Sequence, residues 1–257
     1  MDDVRPLHAS ASSGETGGSG EEKIDGKKEA DGVEQKESVE DYAKKVDYEI
    51  LEETLTEDQL YDRCLTARAA GVGAVIVRPC DVDSALRFLS LGVIRVGSTV
   101  GHPFGSSATG VKVYECRDLL RRGVRLIHAY VNPGKMMSRQ FQHQEVELIQ
   151  LADSCLEAGA ILKIVLDNPR LNDEMKIILC RMAKRVNAHF IHTTAPADLE
   201  LVRKHCGFKV EVAVGGVHTL QQADQAYALG CSRIATTQPR PLLAAYSASL
   251  KAVGKAT

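Results

Sequence analysis

Tryptophan is absent from the 257 residues, and aromatic side chains make up only 5% of them. Platforms for single-stranded nucleic acid need aromatics on which bases stack, so no nucleic-acid partner is expected. An excess of either charge is also missing, since 32 Lys and Arg stand against 34 Asp and Glu, for a formal net charge of -2. A surface for nucleic acid or anionic lipid needs a clustered basic footprint, which this balance does not suggest. No run of about 18 apolar residues occurs, and the first residues hold no apolar leader, so neither a membrane span nor secretion is expected. The seven cysteines (Cys64, Cys80, Cys116, Cys155, Cys180, Cys206 and Cys231) include no close pair. That dispersed, odd set reads as reduced thiols in a cytoplasmic protein, not as a disulfide framework or a zinc site.

What the chain does contain divides in two. Residues 1–40 are Ser, Gly, Glu and Lys with little to bury. Such a stretch cannot offset its ordering entropy and is expected to be a disordered tail. From residue 41 to 257, short apolar runs rich in β-branched residues alternate with helical patterns. The runs are VDYEIL (46–51), AVIVRP (74–79), IRVGSTV (94–100), RLIHAYV (125–131), ILKIVLD (161–167), HFIHTT (189–194), VEVAVGG (210–216) and RIATT (233–237). Near-continuous apolar strands are covered on both faces, as in parallel α/β sheets. Capping boxes open two of the intervening helices, at Thr56 with Gln59 and at Thr219 with Gln222, and Gly71 and Gly230 close them. Further helices are expected over Ser84–Ser90, Val111–Arg122, Gln142–Ala158, Asp173–Val186 and Asp198–Cys206. On the 142–158 helix, Leu148, Leu151, Ala152 and Cys155, widened by Ile149 and Leu156, read as a barrel-packing stripe. Eight strands with crossover helices fit a single (β/α)8 TIM barrel. An open doubly wound sheet would usually carry a Gly-rich phosphate turn after its first strand, and none is there.

Active sites of such barrels form at the C-terminal strand ends. The polar residues and glycines near those ends are Asp47, Arg78, His102, His128, Asn132, Lys163, Asp167, His192, Thr193, Thr194, Gly215, Gly216, Thr236 and Thr237. Over roughly residues 45–245 these positions carry a resemblance. IRVGSTVGHPFG (94–105) resembles the third-strand signature of deoxyribose-phosphate aldolases, and Lys112 and Glu115 fall where that family has a Lys-x-x-Glu. RLIHAYVN (125–132), ILKIVLD, FIHTT, AVGGVHT (213–219) and RIATT are similar to its fourth to eighth strands. The resemblance implies a class I aldolase barrel that cleaves 2-deoxyribose 5-phosphate through a lysine Schiff base, without a cofactor.

Position by position, the family's chemistry is missing. Its Schiff-base lysine corresponds to His192, its proton-relaying acid to His128, and its second lysine to Val212. An imine needs a primary amine, which imidazole is not. Loss of a nucleophile costs on the order of 10⁴- to 10⁶-fold in rate, so no catalytic residue of the family type is expected. Asp47, Asn132, Lys163, Asp167, Thr193 and Thr194 would form a residual pocket, and Gly215, Gly216 and Thr237 the remains of a phosphate cradle. Pro196 stands where the family has a donor glycine, and Ala235 and Gln238 also depart.

Three readings follow. One is a catalytically inactive, aldolase-like barrel that binds a protein or a metabolite. Another is a lyase with relocated chemistry, either a Schiff base at Lys163 or a metal held by His128 and His192 with Asp47 or Asp167. The third is a regulatory module that binds a phosphorylated sugar. For Lys163 the plainer expectation is an ion pair with Asp47 or Asp167. Arg78 is expected either to meet an anion or to form a salt bridge, and His102 to be a loop residue. The resemblance adds a homodimer.

Overall fold

β-Branched runs of four to six residues, punctuated by glycine turns, become eight parallel strands. The computed structural model describes residues 37–90, 92–166 and 171–253. In chain order the elements are α1 (Val39–Ala43), β1 (Val46–Ile50), α2 (Glu57–Ala70), β2 (Ala74–Val77), α3 (Val82–Phe88), β3 (Arg95–Val100), α4 (Thr109–Arg121), β4 (Leu126–Tyr130) and α5 (Pro133–Met137). They continue as α6 (Phe141–Glu157), β5 (Ile161–Val165), α7 (Asp173–Arg185), β6 (Phe190–Thr193), α8 (Leu199–Cys206), β7 (Glu211–Val214), α9 (Leu220–Ala228), β8 (Arg233–Thr236) and α10 (Pro239–Val253). Each strand pairs with the next in parallel, and β1 closes onto β8 through Val46↔Ile234, Asp47↔Ala235 and Tyr48↔Thr236. The result is the expected (β/α)8 barrel.

Both capping boxes form. Thr56 accepts from the Gln59 amide and Thr219 from the Gln222 amide, while each glutamine side chain returns to its cap's backbone N–H. Three elements differ from the sequence expectation. Ser38 caps α1, so residues 37–40 belong to the folded part and not to the tail, whose residues 1–36 lie outside the described residues. Helix α5 is a single turn capped by Asn132. Helix α10 begins Pro239-Arg240-Pro241, which looks like loop, although proline is tolerated in a first turn, where its N–H has no intrahelical partner.

Side-chain alternation splits the apolar residues into two sets. A large cluster lies between the sheet and the helices and includes Val75, Val77, Ile127, Ile164, Ile191, Val212 and Val214. A small one, Ala74, Ile76 and Leu126 with Leu51 and Ile161 against it, lies inside the barrel. On α6, Leu148, Leu151 and Cys155 are buried, but Ile149 and Leu156 are 42% and 79% exposed, so the packing stripe is narrower than expected. Among the described residues no helix is long and apolar enough to cross a membrane.

Candidate functional site

Register fixes which residues share the lumen. Strand neighbours in a parallel sheet present side chains to the same face, and every second residue does so. Thr99 on β3 is opposite His128 on β4, His128 is opposite Lys163 on β5, and Lys163 is opposite Phe190 on β6. Val165 is opposite His192, and His192 is opposite Ala213 on β7. The lumen-facing set therefore includes Thr99, His128, Lys163, His192, Ala213 and, beyond the end of β7, Gly215.

Deep in this lumen lies an ionic triad. Lys163 Nζ donates to Asp47 Oδ2 at 2.6 Å, and Arg233 Nη2 donates to Asp47 Oδ1 at 2.5 Å. Lys163 and Asp47 side chains are 0% exposed. Burial alone would raise the Asp47 pKa, but the charges and hydrogen bonds of Lys163 and Arg233 outweigh it and hold the carboxyl far below its ordinary value. Of the two carboxylates anticipated for Lys163, Asp47 is its partner; Asp167 lies outside the described residues.

Closer to the C-terminal ends, the polarity changes character. The His128 and His192 rings are 5.5 Å apart between centroids, and the residues are 1% and 3% exposed. Burial lowers both pKa values, and the Lys163 charge lowers them further. For His192 the value falls to about 3, and His128 is held well below 6.5, so both imidazoles are neutral at neutral pH. Thr99 Oγ1, His128 Nε2 and His192 Nδ1 are buried with no hydrogen-bond partner. Glu49 Oε1, on the lumen side of β1, lies 3.8 Å from His192 Nε2. Gly215 makes room for this ring, because a Cβ at that position would sit 2.6 Å from His192 Nε2. The first glycine of the Gly-Gly pair thus serves the histidine.

Other residues expected in the pocket do not join it. Val212 pairs with Ile191 and shares its face, packing in the outer apolar cluster; the lumen position on β7 is Ala213. Counting back from the Gly-Gly pair assigns the position but not the face, which strand parity decides. Thr193 also faces outward, where its Oγ1 accepts from the Ala195 amide at 3.1 Å. Asn132 is a helix cap: its Oδ1 accepts from the Lys135 amide, and its own amide donates to Gln144. Arg78 is structural, bound to Asp81 and to the carbonyls of Glu53 and Leu55. His102 packs edge-on against Tyr130 in the loop after β3. Thr194, by contrast, stays at the mouth of the lumen: it is exposed, and its Cγ2 lies 3.1 Å from where a Cβ on Gly215 would sit, beside His192.

Of the expected phosphate cradle, one backbone amide is engaged, together with several amides that flank it. The amide of Gly215 donates to Thr193 O and that of Val217 to Ala235 O. His218 and Thr219 amides go to Gln222, and the Gln238 amide to Thr236 Oγ1. Pro196, Pro239 and Pro241 carry no N–H. Gly216, with φ 68°, provides the left-handed turn, and Thr237 is exposed. The suggested metal set does not assemble with Asp47: both of its oxygens are engaged, and among the described residues, which exclude Asp167, no group of three His, Cys, Asp or Glu is placed to hold an ion.

Sequence reasoning missed Glu49, Thr99 and Arg233. Alternation within β1 would have placed Glu49 beside Asp47 in the lumen, and the same count along β3 would have found Thr99. It also left Lys112 without a partner. Lys112 is fully buried and donates to Tyr130 O and Glu147 Oε1, both at 2.7 Å, while Glu115 accepts from the Gly101 amide, so the pair ties the loop after β3 and the end of β4 to α4 and α6.

Fold and lumen together define a (β/α)8 barrel of the aldolase type. No family model matches the chain. It is 31% identical over 207 residues to the deoxyribose-phosphate aldolase of Aciduliprofundum boonei, covering 77% of this chain and 93% of that one. Against the deoxyribose-phosphate aldolase of Thermococcus gammatolerans the identity is 30% over 208 residues, covering 77% and 92%. The tetrameric deoxyribose phosphate aldolase structure from Aeropyrum pernix superposes with a TM-score of 0.75 at 19% identity, over 82% of this chain and 92% of that one. The chain belongs to the deoxyribose-phosphate aldolase family.

Proposed function

We propose that this family member does not turn over 2-deoxyribose 5-phosphate and that its barrel serves as a binding protein for a metabolite. The observation that carries the reading is His192 in the lumen of β6, where the family's Schiff-base lysine would stand. A nitrogen that attacks a carbonyl must lose two protons, with water leaving, to become an imine, and an imidazole nitrogen has no second proton to give. Lys163, the lumen amine nearest the histidines, donates to Asp47 and is sealed from solvent. That pairing speaks against the relocated Schiff base, and the engaged Gly215 and Val217 amides leave fewer donors for a sugar phosphate. A cytoplasmic homodimer remains the expected state of the protein.

The test is a coupled assay for glyceraldehyde 3-phosphate, together with borohydride reduction in the presence of acetaldehyde. The expected result is no turnover and no mass adduct. Labelling of Lys163 would favour the lyase reading. His192→Lys is the positive control: a buried amine near Lys163 has a lowered pKa, and an adduct at position 192 is expected.

A further inference from the structure

The reading as a binding protein leaves open what kind of molecule the lumen takes, and three unsatisfied atoms narrow it. Thr99 Oγ1, His128 Nε2 and His192 Nδ1 are buried on β3, β4 and β6 with no partner. An unmade buried hydrogen bond costs about 1–3 kcal/mol, so three together are a standing deficit that a bound molecule would relieve. Near them, Ala213 on β7, Gly215 just beyond it and Ala235 on β8 contribute little volume, while Arg233, the partner of Ala213 in register, is held by Asp47.

The charges around these atoms select against both ions. A carboxylate can only accept, so Glu49 beside His192 Nε2 favours the proton on that nitrogen and leaves Nδ1 as a bare acceptor. An anion at Nδ1 would meet that nitrogen's lone pair. A cation would meet Lys163 and Arg233, whose two positive charges share the single negative charge of Asp47. Hydroxyl groups suit all three atoms, since each O–H both donates and accepts.

We infer that the lumen formed by Thr99, His128 and His192 binds an uncharged, hydroxyl-bearing small molecule, of the class of short polyols and unphosphorylated sugars. The inference rests on the binding reading and gives it a ligand class that lacks the phosphate of the family substrate.

Calorimetric titration of the full chain with erythritol, 2-deoxyribose and 2-deoxyribose 5-phosphate tests it. At least one uncharged probe is expected to bind about tenfold more tightly than the phosphate ester, a difference of about 1.4 kcal/mol. Thr99→Val supplies a readout that a structural role would not give. Removing an unpartnered buried hydroxyl should raise the Tm of the free protein while weakening the uncharged probe about tenfold. In ¹⁵N-histidine spectra of the wild type, the same probe should shift His192 Nδ1 as it gains a hydrogen bond. Tighter binding of the phosphate ester, no binding by either uncharged probe, or Thr99→Val with a lowered Tm and unchanged affinity would each overturn the inference. The first leaves the binding reading intact, whereas cleavage of the ester would sink that reading itself.

Discussion

The barrel holds two buried polar layers that follow opposite rules. Deep in the lumen, Asp47, Lys163 and Arg233 are charged and paired. Nearer the strand ends, Thr99, His128 and His192 have atoms that are neutral and unpaired. Paired charges fix geometry at the cost of desolvation, and they become indispensable once buried, because removing one partner strands the other. Unpaired neutral atoms do the reverse: they weaken the free protein and keep their hydrogen-bonding capacity for something else. One layer supports the scaffold, and the other is the candidate site.

That contrast can be broken from either side. The largest effect is expected from Asp47→Asn, which leaves two cations without a counter-charge and should cost about 3–5 kcal/mol, read as a lower urea midpoint. Acid should act next, in its effect per unit of pH, through the upper layer. The folded histidines stay neutral below 6.5, where their unfolded counterparts take up protons, so unfolding becomes easier as pH falls from 6.5. The slope reaches about 1.4 kcal/mol per pH unit for each histidine. For His192 it ends near pH 3, and the Asp47 contribution, present above about pH 4, is lost only below that. His192→Phe should flatten this slope by one proton in urea titrations at stepped pH, and an unchanged slope would show that the ring is already charged. Gly215→Ala should cost about 1–3 kcal/mol, because the new methyl displaces the His192 ring. A wild-type melting temperature in that variant would remove the ring from its assigned place. The smallest effect carries the opposite sign, since Thr99→Val should stabilise the free protein by about 1 kcal/mol in thermal melts.

Much of this architecture was legible in the sequence. Strand runs, capping boxes and closing glycines all appear within one or two residues of where they were expected, because each is a local signal. Parity was not legible at β7: the motif anchors Val212 by counting, yet only the pairing Ile191↔Val212 reveals that it faces the helices. Arg233 was missed for a different reason. Its partner Asp47 lies 186 residues away and meets it only when β1 closes onto β8. Lys163 was easier, because a lysine inside an apolar run demands a counter-charge wherever the chain finds one.

The Asp47 carboxylate also bears on whether this molecule can be divided. It joins the first strand to the fifth and the eighth, so a fragment holding β1–β4 would contain the acid without its bases. The complementary fragment would bury a lysine and an arginine facing nothing. Neither half can close a stable core alone, and a chain cut after β4 should regain structure only when both pieces are mixed.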